Sequence, residues 1–222
     1  MNLREKLKNR HHDMSEAARL FYYGTLGNGF LAILDTAAHQ HGGEGAVVNG
    51  VHNVSDVCAY GIRAAIAGKR LPAINPEKVL GAVNILAISA TALVCVRSGM
   101  SIIDPRGSAH AADLSATFLS SGSSGGNFII ANRLEPENES INGCAHHTKN
   151  PEELAHQDGH HHATADAWAS MIATSGVALT AATDNYRFDS IGTIVGGCYF
   201  IQHMINHMRQ RNGDGHAHSD RV

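Results

Sequence analysis

The feature that most restricts this chain is a set of long stretches that carry no Asp, Glu, Lys or Arg. They run from Val79 to Val96, Leu114 to Asn132 and Ala167 to Thr183, each about the length that crosses a bilayer as a helix. A fourth, Ser190 to Ile205, is interrupted only by the polar His203. Leu20 to Leu34 and Gly45 to Gly68 extend the series, the latter carrying His52, Asp56 and Arg63. The mean hydropathy of −0.15 is low for a polytopic protein, because these stretches are rich in Gly, Ala, Ser and Thr. Small residues let membrane helices approach closely, so weak hydropathy suits helices that pack mainly against one another. The pattern predicts an all-α fold, a six-helix transmembrane bundle with helices near 17–40, 45–68, 77–100, 109–132, 163–184 and 188–209.

The basic residues between these helices alternate. One set of connections holds Arg4, Lys6, Lys8, Arg10 and Arg19, then Lys69, Arg70 and Lys78, then Arg133 and Lys149, then Arg209, Arg211 and Arg221. The opposite set holds only Arg106 and Arg187. By the positive-inside rule both termini are cytoplasmic, and the expected protein is an integral, multi-pass component of the cell membrane. The organisation expected is a cytoplasmic N-terminal segment (1–16), a transmembrane domain (17–209) with a histidine-rich cytoplasmic loop (133–161), and a short cytoplasmic tail (210–222). Met1 to Arg10 is charged and has no apolar core, so it is not read as a signal peptide.

Composition removes other classes. Charged residues are 17% of the chain, too few for a disordered one, and the net charge of −3 without a basic block argues against nucleic-acid binding. The four cysteines have no CxxC spacing, so neither a disulfide framework nor a zinc ribbon is indicated. The anomaly is histidine, with 16 residues.

Two of those histidines stand in an internal echo. His52-Asn-Val-Ser-Asp56 on the second helix matches His162-Ala-Thr-Ala-Asp166 on the fifth. A spacing of four puts each His and Asp on one helical face, one turn apart. Chance alone supplies about one such pair in a chain of this composition, so location carries more weight than counting. Ionisable groups in mid-membrane are costly and face a partner or a pathway. Two imidazoles and two carboxylates at similar depth suit a tetrahedral Zn²⁺ ion. The bland alternative is two local His–Asp hydrogen bonds without a metal.

The stretch Gly43-Glu-Gly-Ala-Val-Val-Asn-Gly-Val-His-Asn-Val-Ser-Asp56 resembles the second-helix region of cation diffusion facilitator transporters, and His162 to Ser170 with Asp189-Ser-Ile191 is similar to that family's fifth helix and following turn. The resemblance covers roughly residues 15–210, the transmembrane domain without the usual C-terminal cytoplasmic domain. It implies no enzyme but proton-coupled efflux (antiport) of Zn²⁺, or of Cd²⁺, Co²⁺, Fe²⁺ or Mn²⁺, by a homodimer in the bilayer, with His52, Asp56, His162 and Asp166 as metal ligands. Position 49 is Asn where the family commonly carries Asp, and Ser190 stands where it usually carries Pro.

Other residues invite smaller expectations. His146, His147, His156, His160 and His161 with Cys144 form a possible metal-collecting loop. Asp35 and His39, with His41 and Glu44, read as a polar helix end or an exit-side relay. His203 and His207 read as partners of a helix C-terminus or ligands of a surface ion. Cys58, Cys95 and Cys198 read as small packing groups, Asp113 and Arg97 as interfacial, and the pairs Gly122/Gly126 and Gly192/Gly196 as packing seams. Two rivals use the same ligands: a soluble helical metal-dependent hydrolase and a non-transporting membrane metal-binding subunit.

Overall fold

In the computed structural model of the chain, residues 15–42, 44–70, 75–103, 112–134 and 151–216 are described. Among them are six helices and no strand: α1 (Glu16–Gln40), α2 (Glu44–Ala67), α3 (Pro76–Ile103), α4 (Leu114–Arg133), α5 (Pro151–Thr183) and α6 (Arg187–His216).

Local chemistry accounts for the helix ends. The Ser15 hydroxyl accepts a hydrogen bond from the Ala18 N–H, and Asn75 Oδ1 accepts from Glu77 and Lys78 before Pro76 opens α3. Asp113 caps α4 by accepting from Ala116 N–H, so this helix starts at Leu114 and not near residue 109. Lys69 and Asp184 take the left-handed conformation just beyond α2 and α5, at φ 54° in both cases, which turns the chain sharply without glycine.

Two helices outrun the boundaries read from the sequence. α5 begins at Pro151, so residues 151–161 of the expected cytoplasmic loop are helical. Proline at the first position, followed by Glu152 and Glu153, is a helix-starting combination that polarity alone had disguised. α6 continues past residue 209 to His216, through the start of the expected tail.

The helices form a ring in the order α1, α2, α3, α6, α5, α4, closed by α4 against α1, and α2 and α5 also touch across its middle. Small residues permit this. Gly176 on α5 and Gly192 on α6 bring their backbones together so closely that a Cβ on Gly192 would lie 2.8 Å from the Gly176 Cα. A Cβ on Gly196 would lie 2.6 Å from the Ala169 carbonyl oxygen, and one on Gly126 would lie 2.5 Å from Leu31 on α1. These glycines are seams of close packing. The apolar core is built on Phe21, Tyr60, Leu80 and Leu134, with a second cluster on Phe200 and Met204.

The core also holds many polar side chains, and many large apolar ones lie on the surface. Buried positions include Asn28, Asp35, Asn49, Asn53, Asn84, Ser120, Ser123 and Asn127. The outer surface carries Phe30, Ile33, Leu86, Leu93, Val96, Phe118, Ile129 and Leu179, each exposed. Cys58 and Cys198, expected to be packing groups, are exposed on this surface as well. Among the described residues, one helix, α3, is long and apolar enough by composition to cross a membrane. The other five are diluted by Gly, Ser, Thr, Asn and His, about half of whose polar members are buried.

Candidate metal centre

Where α2 meets α5, the four residues singled out by the HxxxD echo come together in the middle of the bundle. Each is buried: His52 is 8% exposed, Asp56 1%, His162 0% and Asp166 2%. The pairing differs from the one that the spacing suggests. His162 Nε2 is hydrogen-bonded at 2.7 Å to Asp56 Oδ1 on the other helix, and His52 Nδ1 lies 3.1 Å from Asp166 Oδ1, again across the interface. Only His162 also approaches the aspartate of its own turn, 3.3 Å from Asp166 Oδ2. Asp56, His162 and Asp166 present ligand atoms that all lie within 4.8 Å of one another. His52 joins the group through its contact with Asp166.

The cluster holds no lysine or arginine among its close contacts. Both Asp166 oxygens are buried without a hydrogen-bond donor, because the contacts from His52 and His162 have ion-pair distance but not hydrogen-bond geometry. His52 Nε2 and His162 Nδ1 are also buried without partners. Two carboxylates and two imidazoles with unused lone pairs form a donor set of N and O ligands that a divalent cation would complete. The surroundings keep bulk water away. Phe200 meets His52 edge-on with ring centroids 4.4 Å apart and His162 at 5.5 Å, and Tyr60 stands 6.2 Å from His162.

A second buried polar cluster lies about two helical turns along α2 and α5, around the Arg63 that the sequence shows without a partner. Arg63 Nη2 donates to Asp158 Oδ2 at 2.7 Å and to Asn84 Oδ1 at 3.1 Å, while Nε also donates to Asp158. Asn84 Nδ2 donates to Asp158 Oδ1 at 3.0 Å, and His207 Nε2 lies 3.3 Å from the same oxygen. Arg63 and Asn84 are fully buried. The signal available in the sequence was a lone arginine inside an otherwise uncharged stretch, which demands a carboxylate partner.

The remaining candidates fall as follows. Asp35 is not at a polar helix end but fully buried, where Asn53 and Ser123 donate to its Oδ2 at 2.6 and 2.9 Å. Asn49 is buried one turn before His52 with its Nδ2 unpartnered. His203 and His207 cannot serve a helix C-terminus, because α6 runs on to His216. His156, His160 and His161 belong to the first turns of α5 and not to a loop, whereas Cys144, His146 and His147 lie outside the described residues. His41 pairs with Asp113 at 3.1 Å on the surface, and Asp113 is held below the usual carboxylate range first by the Ala116 N–H and then by His41.

No protein-family model matches this chain, and a search of curated proteins finds no match. The functional reading therefore rests on the residues themselves.

Proposed function

We propose that this protein is a multi-pass membrane transporter of divalent cations, of the Zn²⁺ class, that exchanges the ion for protons at the His52/Asp56/His162/Asp166 site. The observation that carries the reading is that Asp56, His162 and Asp166 bring ligand atoms within 4.8 Å of one another at the crossing of the two central helices, with His52 against Asp166 and buried atoms of His52, His162 and Asp166 unsatisfied.

Two further features support it. The bundle exposes large apolar side chains and hides amides, hydroxyls and carboxylates, the arrangement favoured when the solvent around the helices is lipid. The basic residues cluster at one end of the helices, consistent with cytoplasmic termini and an inward-facing loop between α4 and α5. A hydrolase needs an open coordination position reached by water and substrate, and the burial of all four ligands favours a cargo site over a catalytic one.

The chemistry follows from the ligand types. A cation binds only ionised carboxylate and neutral imidazole, so loading expels any protons held by the ligands. When the site faces the opposite side, protons compete for the same lone pairs and release the ion. Access alternates if α2 and α5 shift relative to their neighbours, and the Gly176–Gly192 seam lets α5 and α6 stay in register while they do.

The test is Zn²⁺ flux into proteoliposomes under an imposed pH gradient. Asp56→Ala and Asp166→Ala should each reduce flux by at least about a hundredfold, the scale expected when one ligand of four is removed from a buried ion site. Flux that persists in either variant refutes the site.

A further inference from the structure

Outside both clusters one more carboxylate is fully buried. Asp35 lies in the C-terminal half of α1 with no exposed surface. Its Oδ2 accepts from Asn53 Nδ2 on α2 at 2.6 Å and from Ser123 Oγ on α4 at 2.9 Å, and Asn53 Nδ2 also lies 3.3 Å from Ser123 Oγ. Its Oδ1 is buried with no hydrogen-bond partner. Among the described residues no charged or titratable side chain stands within ion-pair distance of it. α2 turns Asn53 and Gly50 to Asp35, the latter so close that an added Cβ would lie 3.5 Å from the Asp35 Cβ, and α4 turns Ser123. On α1 itself the titratable neighbour one turn on, His39, is exposed, while α5 directs His162 and Asp166 to the ligands on α2.

From this geometry we infer that Asp35 is a proton-binding site separate from the metal ligands, with the proton carried on Oδ1. A carboxylate removed from water has to be answered by a cation or by a proton. Asp158 shows the first solution, through Arg63, and no such cation faces Asp35. A metal ion needs several ligand atoms turned toward it. Asn53 and Ser123 instead turn N–H and O–H groups to Asp35, which leaves Oδ1 alone, and a single free oxygen is enough for a proton.

Placement gives this proton a use, and that use alone rests on the transport reading. Asn53 follows His52 in the chain, and from these adjacent positions Asn53 reaches α1 while His52 reaches Asp166 on α5. Both side chains ride on one helix, so a shift of α2 that alters His52 against Asp166 also alters Asn53 against Asp35. Hydrogen bonds to an ionised acceptor are about twice as strong as those to a neutral one, so ionised Asp35 holds α2 and α4 to α1 more tightly than protonated Asp35 does. Proton uptake at Asp35 therefore frees α2 to move, which couples the proton to the ion in addition to direct competition at the ligands.

Infrared difference spectra of the full chain in detergent, taken without metal between acidic and alkaline buffer, test the proton site. Asp35→Asn keeps an acceptor for Asn53 and Ser123 and should lack one titrating carboxyl C=O band of the wild type. Asp35→Glu should shift that band and not remove it. Identical spectra for wild type and Asp35→Asn overturn the site, whatever the chain transports. In proteoliposomes Asp35→Asn should lower Zn²⁺ flux driven by a pH gradient at least about tenfold, while Zn²⁺–Zn²⁺ exchange at equal pH and Zn²⁺ affinity in detergent stay within about twofold. Exchange that falls together with net flux marks Asp35 as a structural tie and overturns the coupling. A wild type that neither binds nor moves Zn²⁺ refutes the central site instead, and the infrared result still decides Asp35.

Discussion

The same two helices, α2 and α5, carry two buried clusters of nearly the same ingredients, and their difference is instructive. In one, Asp158 is met by a guanidinium, an amide and an imidazole, so its charge is answered from within the chain. In the other, Asp56 and Asp166 share a buried space with two imidazoles and no guanidinium or ammonium at contact distance. Burying a charge without compensation costs several kcal/mol, so a fold retains such an arrangement where something outside the chain completes it. The cluster with Arg63 is a structural tie, whereas on the proposed reading the cluster without it is completed by the transported cation.

Substitutions that push on each cluster should therefore have opposite signs, which gives the largest effect on stability. Arg63→Ala strips the cation from a fully buried carboxylate and should destabilise the protein by about 3–5 kcal/mol, seen as a lowered midpoint of chemical or thermal unfolding. Asp166→Asn, measured the same way without metal, should leave stability unchanged or raise it, because one of two neighbouring buried carboxylates is gone. Equal losses in the two variants would erase the distinction.

A smaller effect sharpens the same contrast. Zn²⁺ at about a hundred times its Kd should stabilise the wild type by about 2.7 kcal/mol, a shift readable by differential scanning fluorimetry. The shift should shrink in Asp166→Asn. Arg63→Lys, which keeps the charge of the structural cluster, should retain it.

The smallest effect concerns a third His–Asp pair, His41 with Asp113, which is about half exposed. Water already solvates it, so its chemistry matters little despite the similar distance. Asp113→Ala should lower the thermal midpoint by no more than about 2–4 °C, through the lost cap of α4. The carboxyl titrates below its ordinary value in the folded chain, so its contribution is present above about pH 4 and disappears as the pH falls further. A loss on acidification that sets in near neutral pH would assign the effect to other groups.

Much of this was legible in the chain alone. The uncharged stretches located all six helices, and several of their ends fall within a residue or two of the boundaries read from the sequence. The HxxxD spacing put His and Asp on common faces. The errors have two causes. Residues 151–161 read as loop because polarity was weighed above helix-starting chemistry, yet Pro151 with two glutamates begins α5 there. Asp35 and Arg63 had no visible partners, because Ser123 is 88 residues from Asp35 and Asp158 is 95 from Arg63.

Helix positions, the small-residue faces and the one-turn spacing of each His–Asp pair were determined by the sequence itself, because they depend on periodicities a few residues long. Which histidine meets which aspartate was decided only by the tertiary structure. That outcome depends on the rotation and register of α2 against α5, set by packing around the whole ring. The same packing decided that Asp158 found an arginine while Asp56 and Asp166 found each other and two imidazoles.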